Sequence, residues 1–336
     1  MRLIILGTGA MAVQHAEAFV EIDGVELVAA VDPHPERLAS FCDRFGIEHK
    51  FAALSDAIDW NGFDAVANIT PDSLHHETTM ACIAVGKHVF CEKPLATNQR
   101  LAAEMTQAAY EAGVVGMVNL LYRGVAPLQT AREMVLGGEI GDVKHLEASY
   151  LQSWLAQPSW GDWRTDERWL WRLSTKHGSN GVLGDVGIHI LDFACYGANL
   201  DITDVHCRLK TFPKAEDDRI GDYELDANDS FTINASFDNG AIGVIHSSRW
   251  ASGHRNELAL RIYGDKGGLE VKCWRGGHLV ADPRYTSLRA SKGEDLETGT
   301  WQDVPARPVP LNYLRFVEAV RQGETQEPSF ATATRM

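Results

Sequence analysis

Three groups of residues in this 336-residue chain combine types and spacings that can do chemistry. The first is Gly7-Thr8-Gly9-Ala10-Met11-Ala12, a GxGxxA pattern directly after the apolar run 3–6 and at the start of a helically spaced segment, 10–20. The first glycine allows a tight turn, the second lets backbone approach a pyrophosphate, the alanine keeps helix and strand close, and the helix N-terminus offers N–H groups to an anion. Twenty residues beyond Ala12 stands Asp32, placed to accept hydrogen bonds from a ribose diol and to repel a 2′-phosphate. A GxGxxA alone also occurs as a plain glycine turn. With strand, helix and acid in register it predicts dinucleotide binding and favours NAD over NADP, although His34 and Arg37 leave NADP use open.

The second group stands where apolar strand-like runs end: Ile69-Thr70-Pro71 and Glu92-Lys93-Pro94. The carboxyl ends of parallel strands are where such sheets bind ligands, so Lys93 is aimed at a cleft. The proline after it restricts the lysine backbone and with it the direction of the ammonium. By spacing alone, an ordinary surface lysine at a strand end fits equally.

The third group is Gly184-Asp185-Val186-Gly187-Ile188-His189-Ile190-Leu191-Asp192, inside the helix-length segment 181–195. At about 100° per residue, Asp185, His189 and Asp192 fall within about 40° of one direction, and the rest of the wheel is apolar or glycine. A buried helix with one acid-imidazole stripe follows. A carboxylate at i can hydrogen-bond an imidazole at i+4, set its tautomer and raise its basicity, which suits proton transfer. A satisfied structural Asp-His pair would look the same.

Five tryptophans (Trp154, Trp160, Trp163, Trp169, Trp171) lie within eighteen residues, interleaved with Arg164, Arg168, Arg172 and Lys176. Indole faces stack on sugar rings and Arg forks bind hydroxyls or anions, but core packing or a subunit contact explains the cluster as well.

These groups need elements to hold them. Apolar runs at 3–6, 25–31, 65–69, 88–91 and 114–118 alternate with helical spacing at 10–20, 35–45, 73–85 and 98–111, which predicts βαβ units and a doubly wound parallel sheet over residues 1–121. Beyond that, 205–212, 229–237, 241–248, 257–263 and 268–273 read as strands with few helices between them. The turn Asp238-Asn239-Gly240 joins two of them as a hairpin. Residues 122–336 are therefore expected to form an α+β domain with an open, largely antiparallel sheet, a polar stretch at 281–308 and a helix at 311–321.

With 45% hydrophobic and 23% charged residues the chain reads as globular, and a net charge of −15 argues against nucleic acid or anionic lipid as partner. No apolar run is long enough to span a membrane and the first strand-like run begins next to the N-terminus, which predicts a cytoplasmic protein. The six cysteines form no CxxC pair and the histidines no HExxH pattern; reduced thiols and no metal are expected.

In combination, Gly7-x-Gly9-x-x-Ala12, Thr70-Pro71-x-x-x-His75, Gly86-Lys87-His88-Val89-x-x-Glu92-Lys93-Pro94-Leu95-Ala96 and Asp185-x-Gly187-x-His189 resemble the glucose-fructose oxidoreductase, inositol dehydrogenase and rhizopine-catabolism (Gfo/Idh/MocA) family. The likeness extends through Gly137-Gly138-Glu139-Ile140-Gly141 and Trp171-Arg172. It implies a Rossmann domain followed by a substrate and oligomerisation domain, and NAD(P)-dependent hydride transfer to or from a sugar, cyclitol or related polyol. Lys93, Asp185 and His189 would be catalytic. His189, oriented by Asp185 or by Asp192, would take the hydroxyl proton while Lys93 steadies the developing alkoxide. Cofactor contacts are expected from Gly7, Thr8, Gly9, Ala10, Met11, Asp32, Arg37, Thr70, Pro71, His75, Glu92 and Lys93, and substrate contacts from Lys93, Tyr122, Arg123, Trp163, Arg164, His177, Asp185 and His189. A homodimer or homotetramer through the second sheet is expected. The chain departs from the family pattern at Gly178-Ser179-Asn180-Gly181, where consecutive glycines are usual, and after Phe330, where little length remains for a last helix. Two other readings remain open: a redox-neutral enzyme that oxidises its sugar transiently, and a sugar or NAD sensor without chemistry.

Overall fold

The structure is a computed structural model and describes residues 1–158, 160–275 and 281–336. It divides into two compact units, Met1–Leu120 with Pro310–Met336, and Leu121–Val309.

The first unit runs β1 (Arg2–Leu6), α1 (Ala10–Val20), β2 (Glu26–Val31), α2 (Pro35–Phe45), β3 (His49–Phe51), α3 (Leu54–Trp60), β4 (Ala65–Asn68), α4 (His75–Ala84), β5 (His88–Cys91), α5 (Gln99–Ala112) and β6 (Gly116–Val118). The strands form one parallel sheet in the order β3-β2-β1-β4-β5-β6. That is the doubly wound dinucleotide-binding order, with the strand direction of travel reversing between β1 and β4. Near-continuous apolar strands such as Leu3-Ile4-Ile5-Leu6 and Ala65-Val66-Ala67 are what a sheet covered on both faces requires, and these residues are buried.

The second unit opens with α6 (Ala126–Leu136) and β7 (Val143–Gln152), passes the short α7 (Glu167–Leu170), then α8 (Ile188–Ala198), β8 (Ile202–Lys210), and a small ribbon of β9 (Arg219–Ile220) with β10 (Tyr223–Glu224). There follow β11 (Ser230–Phe237), β12 (Ile242–Ser248), β13 (Asn256–Gly264), β14 (Gly267–Cys273), β15 (Thr286–Lys292), α9 (Asp295–Thr298) and β16 (Gln302–Asp303). Eight strands make one sheet, β16-β15-β14-β13-β7-β12-β11-β8, antiparallel everywhere except between β7 and β12. β7 lies near the middle of the sheet, yet it is absent from the sequence reading. Its buried positions Leu146, Ala148, Tyr150 and Gln152 alternate with Glu147, Ser149 and Leu151, a pattern diluted by polar residues. The hairpin at Asp238-Asn239-Gly240 forms as expected, with β11 paired to β12.

The chain then returns to the first unit through α10 (Asn312–Gln322) and α11 (Phe330–Arg335). This corrects the expectation that residues 310–336 belong to the second domain. An amphipathic helix announces a buried face but not its partner. Here the face of α10 carries Tyr313, Phe316 and Val317 into the core around Phe19 and Phe90, with ring centroids of Phe19 and Tyr313 5.1 Å apart and those of Phe90 and Phe316 5.4 Å apart. The last helix is short, as anticipated. Truncating the fully buried Phe316 to alanine should cost about 3–5 kcal/mol of stability. Urea unfolding followed by tryptophan fluorescence would show it, and an unchanged midpoint would contradict this placement of the C-terminal segment.

Candidate active site

Within the first unit the glycine turn follows β1. Gly7 has φ +87, and a Cβ there would lie 2.7 Å from the Ile69 carbonyl oxygen, so only glycine fits. At Gly9, the N-cap of α1, a Cβ would meet nothing within 4 Å, and no side chain caps the helix. Open space over uncapped N–H groups fits a pyrophosphate. Asp32, just past β2, is buried and accepts hydrogen bonds from Thr8 N (2.8 Å), Thr8 Oγ1 (2.9 Å), His34 N (2.9 Å) and Arg37 Nη2 (2.8 Å). Burial opposes its charge, but Arg37, Thr8 and His34 together hold the carboxyl at about 2, so it is ionised at neutral pH. Arg37 thus covers the acid in this structure. Sequence spacing placed the two residues near each other without showing the pair.

At the ends of β4 and β5 the polar groups interlock. Asn68 Oδ1 accepts from Thr70 Oγ1 (2.7 Å) while its amide donates to Thr78 Oγ1 and Thr79 Oγ1. His75, which its motif marks as an expected cofactor contact, is fully buried, its ring between the Thr70 and Pro94 carbonyls. The Glu92 carboxylate accepts from His15 Nε2 (2.8 Å), Asn119 Nδ2 (2.7 Å) and the Lys93 backbone N–H (3.2 Å). Burial again opposes the charge, and His15, Lys93 and Asn119 hold Glu92 at about 2. His15 on α1 and Asn119 after β6 are functional supports that sequence reading missed, since no local spacing links them to Glu92.

The second unit holds the acid-imidazole stripe. Leu183–Gly187 form a π-helical turn that leads into α8. The wheel drawn at about 100° per residue therefore does not run unbroken from Asp185 to His189, because a π turn is wider. Val182 N and Leu183 N are anchored on Asn228 (2.8 and 3.2 Å), and Ser179, standing where glycine is usual, donates to the Arg172 carbonyl (2.6 Å). Asp185 accepts from Arg249 Nη2 at 2.8 Å, with Arg172 Nε 3.8 Å away. Arg249 is fully buried, stacked over Trp154 at 5.0 Å, and no sequence signal joined it to Asp185.

The Tyr122 ring meets His189 edge-on, with centroids 5.0 Å apart, and its hydroxyl hydrogen-bonds Tyr150 Oη at 2.7 Å. Asp192 is gripped by Arg123, with Nη2 at 2.7 Å and Nε at 3.1 Å from its oxygens, both side chains buried. Arg123 thus props α8. Trp163 is buried with Trp154 and Leu155, donating to the Leu155 carbonyl, so core packing accounts for it. Arg164 is exposed beside Asp162, and His177 bonds Ser174 Oγ (2.9 Å) and packs at a tilt against the Tyr223 ring. Among the described residues there is no cluster of His, Cys, Asp or Glu able to hold a metal ion, and no helix long and apolar enough to cross a membrane.

Comparison with known proteins agrees with both halves of the chain. Residues 1–120 match the model of the oxidoreductase family with an NAD-binding Rossmann fold, and residues 128–270 match the GFO/IDH/MocA C-terminal domain. The chain belongs to the GFO/IDH/MocA family of NAD-binding oxidoreductases. It is 26% identical to levoglucosan dehydrogenase of Pseudarthrobacter phenanthrenivorans, over 89% of this chain and 82% of that protein. It is likewise 26% identical to the NAD-dependent scyllo-inositol 2-dehydrogenase of Bacillus subtilis, over 97% and 87%. A levoglucosan dehydrogenase solved with NADH and levoglucosan shares the fold with a TM-score of 0.83 at 24% identity, covering 99% of this chain and 93% of that one.

The Asp32-Arg37 pair makes a direct prediction about NAD. Asp32→Ser removes the acid and releases the Arg37 guanidinium toward a 2′-phosphate, so the ratio of NADPH to NADH affinity should rise at least about tenfold. Fluorescence titration reads the ratio, and an unchanged value would reject the ribose role of Asp32.

Proposed function

We propose that this protein is an NAD-dependent dehydrogenase that moves hydride between a secondary hydroxyl of a sugar, cyclitol or related polyol and nicotinamide. The observation that carries the reading is the coexistence of two intact sets of groups. One is the ionised Asp32 beside the open Gly9 turn with Lys93 after β5, and the other is His189 on α8 with an Arg-held Asp185 in the π turn that leads into it. The relatives named for levoglucosan and scyllo-inositol support the substrate class.

Bound NAD would supply the acceptor for the hydride that leaves the carbinol carbon. Lys93 donates a hydrogen bond to the reacting oxygen and stabilises its developing negative charge, a contribution of about 3–4 kcal/mol by analogy with oxyanion donors. His189 takes the hydroxyl proton. Its Nδ1 is buried, so Nε2 is the nitrogen assigned to the task. Asp185, held by Arg249, accepts from substrate hydroxyls and favours the imidazolium that His189 becomes. Neutral hydroxyl-rich rings suit these donors and acceptors.

We further infer a homodimer or homotetramer assembled through the eight-stranded sheet, whose edge strand β8 exposes Val205 and Leu209. Sedimentation equilibrium returning a monomer would refute it. The principal test is NADH absorbance with NAD and a panel of sugars, anhydrosugars, glycosides and cyclitols, repeated with Lys93→Met. The wild type should give substrate-dependent NADH, and the variant should lose about 10²-fold or more in kcat with NAD affinity nearly unchanged. Persistent turnover by the variant would remove Lys93 from the chemistry, and altered sugar without NADH would replace net oxidation by redox-neutral conversion.

A further inference from the structure

His75 is completely buried at the start of α4, and both of its ring nitrogens lie against carbonyl oxygens: Nδ1 is 2.7 Å from Pro94 O and Nε2 is 2.9 Å from Thr70 O. A carbonyl oxygen only accepts, and a neutral imidazole carries one N–H and one bare nitrogen. One of these two contacts would then set lone pair against lone pair at hydrogen-bond distance. Both contacts are hydrogen bonds only when both nitrogens carry protons.

We propose that His75 is a buried imidazolium that clamps the backbone after Lys93 to the end of β4, and thereby acts as a positioning residue for the Lys93 ammonium.

The clamp has a rigid side and a dependent side. Thr70 is held by Asn68, whose amide is itself fixed by Thr78 and Thr79 of α4, so the acceptor on the β4 side does not move freely. Pro94 follows Lys93 directly, and the backbone N–H of Lys93 is tied to Glu92 on the other side. Lys93 is thus bracketed by two ionic groups, the largely enclosed Glu92 carboxylate before it and the fully buried His75 cation after it. Proton retention on His75 agrees with its surroundings. Burial opposes the charge, but the sulfur of Cys91 on β5, the Pro94 carbonyl and Asp72 in the turn ahead of α4 outweigh it and push the group up to about 10. Because the folded value lies above the unfolded one, the stability this proton contributes is fully present below about pH 6.5 and is lost as pH rises toward about 10.

This inference rests on the assignment of Lys93 as the group that meets the reacting oxygen, and its test separates the two. Histidine ring nitrogens of the isotope-labelled, NAD-loaded protein are recorded by NMR near pH 8, about 1.5 units above the ordinary histidine value, with His75 assigned by loss of its signal in His75→Gln. Both nitrogens should show the protonated state there, and a neutral ring would overturn the clamp. Reductive methylation with labelled formaldehyde then gives each lysine its own signal, with Lys93 assigned by its loss in Lys93→Met. In His75→Gln, whose amide cannot donate from both ends, the Lys93 signal should shift while the signals of Lys50, Lys144 and Lys292 stay in place; an unmoved Lys93 signal would overturn the positioning role. His75→Asn serves the same comparison if the glutamine variant does not fold. Turnover by Lys93→Met, measured separately, decides the role of Lys93 itself and leaves the reading of the His75 ring unaffected.

Discussion

An ionised carboxylate held almost out of water at the end of β5 is the constraint on which the first unit's chemistry depends. Burying a charge costs several kcal/mol unless donors replace its hydration, and Glu92 finds them on His15, Asn119 and the Lys93 backbone. Those donors come from α1, from the segment after β6 and from the loop itself. The acid therefore joins the glycine-turn helix, the far strand of the parallel sheet and the residue that carries the candidate ammonium. A ligand at the carboxyl edge of this sheet meets a surface whose polar groups are already committed to fixed directions, which is what preorganised electrostatic catalysis needs.

The second unit solves the same problem with arginines. Asp192 is clasped by Arg123 and Asp185 by Arg249, each guanidinium buried, so α8 and the π turn before it are anchored through their acids as well as through apolar packing. Arginine suits this because its fork stays charged and matches carboxylate geometry. Of the acids on the stripe, Asp192 is the more enclosed and reads as a support, while Asp185 is partly exposed. π turns recur at functional sites, and here one contains Asp185 and ends just before His189 on α8, which changes the angle at which the two side chains leave the helix.

Local patterns in the chain carried much of this. Gly7-x-Gly9-x-x-Ala12 with Asp32 is a short-range signature whose meaning follows from turn sterics and helix ends, and the alternation of apolar runs with helical spacing announced the parallel sheet before β4 and β5 were seen. What stayed hidden depends on distance along the chain. Arg249 and Asp185, His15 and Glu92, and Tyr122 and Tyr150 meet only after folding, and none of these pairs has a spacing rule. β7 does not stand out in the sequence because its inward residues are interleaved with polar ones, and the sequence does not show which unit α10 packs on because an apolar stripe does not name what covers it. The tryptophan cluster reads in the sequence equally as a recognition surface or as a core, and the Trp163 indole lies in a core.

The central claim is that a carbinol hydrogen of the substrate leaves as hydride for nicotinamide and stays there at the end of the turnover. It is tested most directly with a sugar or cyclitol deuterated at its ring carbinol positions, incubated with NAD and the intact enzyme, followed by mass spectrometry of the cofactor. The account predicts deuterated NADH accumulating in step with ketone product and a slower rate than with the unlabelled substrate. Deuterium that remains in the carbohydrate, with cofactor unlabelled after turnover, would contradict it.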